Sequence, residues 1–134
     1  MMDDALLVHR AARGDGEAQD ALARAILERG YACEISREDA VTAAEVYARL
    51  AASHGTNSGM TLLGGVLFKR AEVAEYNGDT ELAIACTVEG VRCLDQLADA
   101  GDEPAAELLA AYAPFLRPEV MALATSRLPL DRKE

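Results

Sequence analysis

The side chains able to grip a soft metal ion or act as nucleophiles are few in this sequence: His9, His54, Cys33, Cys86 and Cys93. None are spaced as C-x-x-C or H-x-x-x-H, the patterns that let two ligands from one turn or one helix face hold zinc, so no metal site is expected. Cys86 and Cys93 lie two helical turns apart, about 10 Å along an axis, which is too far for a disulfide. They read instead as small apolar residues sharing one helix face. His54 stands just before Gly55, at a helix C-terminus that favours a cation, so a capping role is expected for it. Gly59 and Gly64 have the glycine spacing of a phosphate-binding loop. Gly65 and Val66 follow them where Lys and Ser or Thr are needed, and the segment reads as the inside of a helix, so the match fails. Ser58 is not in a G-x-S-x-G elbow. The adjacent acids Asp3-Asp4, Glu38-Asp39 and Asp102-Glu103 fall at expected helix starts, where carboxylates answer the helix dipole. No catalytic residue, cofactor or metal is expected from these groups.

Composition narrows the elements that would carry any site. The 134 residues suit one domain, 1–134, and a domain of this size buries roughly two thirds of its unfolded surface. Apolar residues make up 51% of the chain but aromatics only 4%, with no Trp, so Ala, Leu, Val and Ile must fill the core. Ala and Leu with abundant Glu and Arg favour helix, because those side chains lose little freedom there. The net charge of -10 repels phosphate backbones and anionic membranes, which makes a basic peptide or basic protein face the electrostatically favoured partner. The first residues carry acids where a signal peptide needs positive charge, and no stretch is long and apolar enough to span a membrane. Three cysteines, an odd number, then point to free thiols and a cytoplasmic location.

The chain repeats when aligned on Gly14, Gly55 and Gly101. Three positions before these glycines stand Ala11, Ala52 and Ala98, and four after them Ala18, Gly59 and Ala105. Eight after come Leu22, Leu63 and Leu109, and nine after come Ala23, Gly64 and Ala110. The glycines are 41 and 46 residues apart, periods typical of helical-hairpin repeats. A glycine after a helix ends it in the left-handed conformation, and Asp15 and Asp102 then serve as N-caps of the next. The small residues and the Leu share one face, which permits close helix packing and accounts for Gly59, Gly64 and Gly65 inside a helix.

Seven helices are predicted near residues 3–13, 16–29, 38–54, 57–76, 80–100, 103–113 and 118–127. Ser36 with Asp39 reads as a cap for the third, and Asn77-Gly78-Asp79 as the turn between the fourth and fifth. Pro104 fits a first helical turn, while Pro114 closes the sixth helix and Pro118 opens the last. The fold class expected is all-α: a short α-α superhelix of about two and a half antiparallel hairpins, with units near 14–54, 55–100 and 101–127. The first helix reads as the second half of a hairpin whose first half is missing, and its outer face offers a route to self-association.

The stretch GDGEAQDALARAILERG followed by EDAVTAAEVYARLAASHG resembles one unit of the Sel-one-like repeat, a tetratricopeptide-like hairpin family. Gly14, Asp15, Ala18, Leu22 and Ala23 match the first half of its pattern, and Ala44, Tyr47, Ala51, Ala52 and Gly55 the second. A second unit runs from Gly55 to Gly101, with Gly90, Cys93 and Ala98 in the places of Ala44, Tyr47 and Ala52. The hairpin loop after Gly30, YACEISRED, lacks the glycine-rich form common in the family, and the second unit replaces that loop with the tight NGD turn. The resemblance implies an adaptor scaffold that binds proteins or peptides.

In such a stack the first helix of each hairpin lines the concave side. Counting from each packing Leu places Asp20, Arg24, Leu27 and Glu28 on that face in the first unit. The second unit contributes Thr61, Gly65, Phe68 and Lys69, and the third Glu107 and Ala111. Asp20, Arg24, Glu28, Thr61, Phe68, Lys69 and Glu107 are therefore the candidate partner-binding residues; Phe68 either stands exposed as an anchor or packs inward at a helix junction. The expected function is a non-enzymatic protein- or peptide-binding scaffold. The alternative is a small-ligand sensor or small enzyme with a pocket in the groove.

Overall fold

The structure is a computed structural model and describes residues 4–125. These residues form seven α-helices and no strand: α1 (Asp4–Ala12), α2 (Gly16–Tyr31), α3 (Arg37–Ala52), α4 (Asn57–Tyr76), α5 (Thr80–Asp99), α6 (Glu103–Tyr112) and α7 (Pro118–Thr125). A short 3-10 turn at Ala113–Phe115, containing Pro114, separates the last two. Every expected helix is present with ends within two residues, apart from residue 3 of the first and residues 126–127 of the seventh, which lie outside the described residues.

The helix boundaries follow from local chemistry. Asp15, Ser36, Asp79 and Asp102 each accept the backbone N–H three residues on, and Thr56 does the same for α4. Such caps contribute about 1 kcal/mol each by satisfying a donor that a helix start leaves open. Gly14, Gly55, Gly78 and Gly101 all have positive φ, so each glycine reverses the chain in the conformation expected of it. The loop after α2 has no glycine to offer. Cys33 takes its place at φ 62, and the Glu34 N–H closes the turn on the Arg29 carbonyl at 2.9 Å. A side chain in the left-handed region costs about 1–2 kcal/mol, which the first hairpin absorbs.

Each helix packs chiefly on its neighbours in the chain, apart from α7, which packs on α5. The helices that follow the repeat glycines, α2, α4 and α6, are termed the inner helices, and α1, α3, α5 and α7 alternate with them along the chain. Hairpins α2–α3 and α4–α5 stack through α3 against α4, while α6 and α7 both lean on α5. Small residues set the spacing. A Cβ on Gly59 would stand 2.7 Å from the Ala51 carbonyl oxygen, and one on Gly64 would stand 2.8 Å from Leu94. Ala23, Ala44, Ala48, Val66 and Leu67 are fully buried between the first two hairpins. Leu7, Ala11, Ala18 and Leu22 seat α1 on α2, which leaves Leu6 and Val8 exposed on the outer face of α1. In the third unit Ala105 is buried but Ala110 is exposed, because α7 turns away onto α5 instead of closing a hairpin on α6.

Candidate functional site

The repeat fixes where the inner helices begin but not how far they run. Counted from Gly14, Gly55 and Gly101, α2 ends at Tyr31, α4 at Tyr76 and α6 at Tyr112. At 1.5 Å per residue, α4 outruns α2 by about 6 Å and α6 by about 15 Å. Its C-terminal half therefore stands as a ridge with a cleft on either side, and Tyr76 at its tip is 91% exposed.

The first cleft, about 460 Å³, lies between this ridge and the tip of the first hairpin. Leu27, Tyr31, Val41, Val73 and Tyr76 give it apolar walls, with Arg37, Glu38, Lys69 and Glu72 at its rim. The Lys69 ammonium sits over the Tyr31 ring, 5.0 Å from its centroid. Burial works against the charge on Lys69, but its interactions with Tyr31, Tyr112 and Glu72 outweigh that and hold its pKa above the ordinary lysine value. The second cleft, about 510 Å³, lies between the ridge, the N-terminal half of α5 and the segment from Tyr112 to Val120. Phe68 and Tyr112 form its floor, their centroids 4.4 Å apart, and Phe115 stands beside it 85% exposed. Glu72 and Tyr76 border both clefts.

Aromatic placement sets these clefts apart from the rest of the surface. The chain has four Tyr and two Phe, and five of those six line the two clefts, Tyr47 being the exception. Aromatic side chains are the usual anchors of protein interfaces, because they bury a large area with few rotors to freeze.

Of the seven residues expected to contact a partner, Lys69 and Phe68 reach a cleft. For Phe68 the inward alternative holds. It is 2% exposed and cannot be the surface anchor, because its ring fills the space over Gly90, where a Cβ would stand 2.9 Å away. Asp20 is engaged by Arg24 at 2.6 Å and by the Ser58 hydroxyl at 3.3 Å. Glu28 and Glu107 are exposed on their helices away from both clefts, and the Thr61 hydroxyl is buried with no partner among the described residues. The exposed cleft aromatics that sequence reasoning missed are Tyr31, Tyr76 and Phe115. A signal for two of them was present: each inner helix ends on a tyrosine.

His54 also departs from expectation. Its ring packs against Gly16 and its Nε2 hydrogen-bonds the Oε1 of buried Gln19 at 3.1 Å, while Gln19 Nε2 donates to the Ala11 carbonyl at 3.0 Å. It thus ties the end of α3 to α2 rather than capping its own helix. Cys86 and Cys93 are buried and unpaired, and burial pushes both thiols above the ordinary cysteine pKa. Above Cys86, Arg49 bridges Glu45 at 2.8 Å and Glu89 in bidentate fashion at 2.7 Å, and Glu45 also pairs with Arg70, joining α3, α4 and α5. Among the described residues no three His, Cys, Asp or Glu side chains converge as a metal site would require, and no helix is long and apolar enough to cross a membrane.

Fold and clefts together define a class: an all-α stack of antiparallel helical hairpins with two aromatic clefts along its hairpin-tip edge. Comparison with protein-family models, with curated proteins and with solved structures finds no match to this chain.

Proposed function

We propose that this protein is a non-enzymatic scaffold of the Sel-one-like kind that binds a segment of a partner protein in the clefts flanking the C-terminal half of α4. The observation that carries the reading is the gathering of five of the six aromatic side chains around those clefts, with Tyr76 and Phe115 almost fully exposed. A large aromatic exposed on a monomer forgoes about 1.5–3 kcal/mol of burial, which a partner seated on it recovers. Selection of a displayed random-peptide library on the immobilised protein tests this, with the Tyr76→Ala and Phe115→Ala variants as counter-selections. Peptides enriched on the wild type and lost on both variants are expected. Enrichment that is indifferent to both variants would refute the reading.

A second reading, a small-ligand sensor, draws on the first cleft alone. Its volume of about 460 Å³ falls in the range of small-molecule sites, and Lys69 on Tyr31 offers one oriented charge within apolar walls. A metabolite panel screened by thermal shift separates the two readings, because a ligand that binds only the native state raises its melting temperature.

A further inference from the structure

The second cleft carries more than an apolar floor. Above the buried Phe68, the side chains that bound it divide into a hydrophobic strip of Ile84, Phe115 and Leu116 and three charged groups, Glu72, Glu75 and Arg117. Glu72 and Glu75 sit one helical turn apart on the ridge and are both exposed. Arg117 is the one base lining the cleft, and it reaches Glu75 only loosely, at 3.7 Å with both side chains more than half exposed. Glu72 makes no ion pair among the described residues; it interacts at longer range with Lys69, whose ammonium sits over the Tyr31 ring. The cleft thus keeps a net negative rim within a chain of net charge -10, and low-dielectric walls focus such a field outward.

We infer that the second cleft is a docking groove for an amphipathic segment of a partner protein, one that lays apolar side chains along Ile84, Phe115 and Leu116 and sets Lys or Arg beside them against Glu72 and Glu75. This rests on the peptide-binding reading above and adds the chemistry of the partner. An acidic segment meets two carboxylates and a negative molecule, whereas a basic one is steered in and gains a charge-assisted contact at the groove edge. Nucleic acid is disfavoured by the same rim, since phosphates would face Glu72 and Glu75.

The test uses three pools of short fluorescein-labelled peptides with one shared composition of Leu, Phe, Ala and Ser. The pools differ only in carrying Lys and Arg, Gln, or Asp and Glu at the remaining positions. Fluorescence anisotropy against the full chain is expected to show the basic pool binding about tenfold more tightly than the Gln pool, an advantage that shrinks as salt is added. Glu72→Gln with Glu75→Gln should abolish the preference for the basic pool, and Glu72→Lys with Glu75→Lys should transfer it to the acidic pool. Phe115→Ser should weaken all three. If the pools bind equally and still depend on Phe115, the basic partner is overturned while peptide binding in the cleft stands. If binding ignores Phe115, the groove itself is overturned, and if no pool binds at all, the peptide-binding reading falls with it.

Discussion

Gly64 and Gly65 are neighbours inside α4, yet alanine at the two positions should have opposite effects on stability. In a helix interior, Gly→Ala gains about 1 kcal/mol from backbone entropy and solvation alone. At Gly65 the new Cβ meets only the Leu108 Cδ2, at 3.4 Å, an ordinary contact with a half-buried side chain free to turn aside. Gly65→Ala should therefore keep most of that gain, about 0.5–1 kcal/mol. At Gly64 the Cβ would fall 2.8 Å from both Cγ and Cδ2 of Leu94, which is completely buried. Because Cγ is the branch point of that side chain, relief requires Leu94 to leave its rotamer or α5 to move off α4, and overpacking of this kind costs about 1–3 kcal/mol. Gly64→Ala should then lose up to about 2 kcal/mol net, and the two variants should differ by about 2 kcal/mol, or roughly 6–10 °C in melting temperature for a chain of this size. Urea unfolding followed by far-ultraviolet circular dichroism measures the difference directly, with an unchanged m-value required for the comparison. Equal stability of the two variants would show that Gly64 does not set the α4–α5 spacing, and the packing role given to the repeat's small residues would fail with it.

Other consequences are open to similar measurement. Cys33→Gly should stabilise the protein by about 1 kcal/mol, since glycine adopts positive φ without the side-chain penalty; thermal melts that show no gain would remove the left-handed turn as the reason. In the native protein a thiol reagent should modify the exposed Cys33 and spare Cys86 and Cys93 until unfolding, as mass spectrometry would count. Glu89 is held below the usual carboxylate range by the Arg49 guanidinium, which outweighs the opposing effect of burial. A depressed carboxylate adds stability that is present above its unfolded pKa, about 4.3, and lost as pH falls through the folded value, so Glu89→Gln should flatten the acid limb of the stability curve. With both side chains over 40% exposed, the pair should contribute no more than about 1 kcal/mol and less in high salt. Tyr76→Ala should leave stability unchanged within about 0.5 kcal/mol while weakening peptide binding about tenfold or more; a loss of stability instead would make Tyr76 a structural residue.

The features that were legible in the sequence are those that a backbone conformation or a helix face dictates. Gly14, Asp15 and Ala18 specify a turn, a cap and a packing contact within five residues, and the structure returns all three. Ser36, Gly78, Asp79, Gly101 and Asp102 were readable for the same local reason. What depends on a partner far along the chain was not. For Phe68 the pattern left an exposed anchor and an inward-packed ring both open, and the void left by Gly90, on the next helix, decides for the second. Gln19 bonding His54 and the Arg49 network linking three helices are likewise pairings of distant residues, with no signature in spacing. The left-handed turn at Cys33 is an intermediate case. The missing loop glycine was visible, but not which residue would take the conformation.

The clefts belong to neither category. No repeat position specifies them; they exist because α4 is longer than the inner helices on either side of it. The packing positions of the repeat lie within nine residues of each glycine, at the end of the stack where the caps also sit. Beyond them, toward the hairpin tips, a helix can be lengthened or shortened by a turn without disturbing a conserved geometry of contact between units. A tyrosine placed at the end of such a helix is then partly covered or fully exposed according to the length of its neighbours. The three inner-helix tyrosines illustrate this: Tyr112 stacks on Phe68, Tyr31 lies beneath Lys69, and Tyr76, on the longest helix, stands free. A helical-hairpin stack built this way can vary its surface at the hairpin-tip edge while its core stays fixed, and that edge is where the aromatic side chains of this otherwise aromatic-poor chain are gathered.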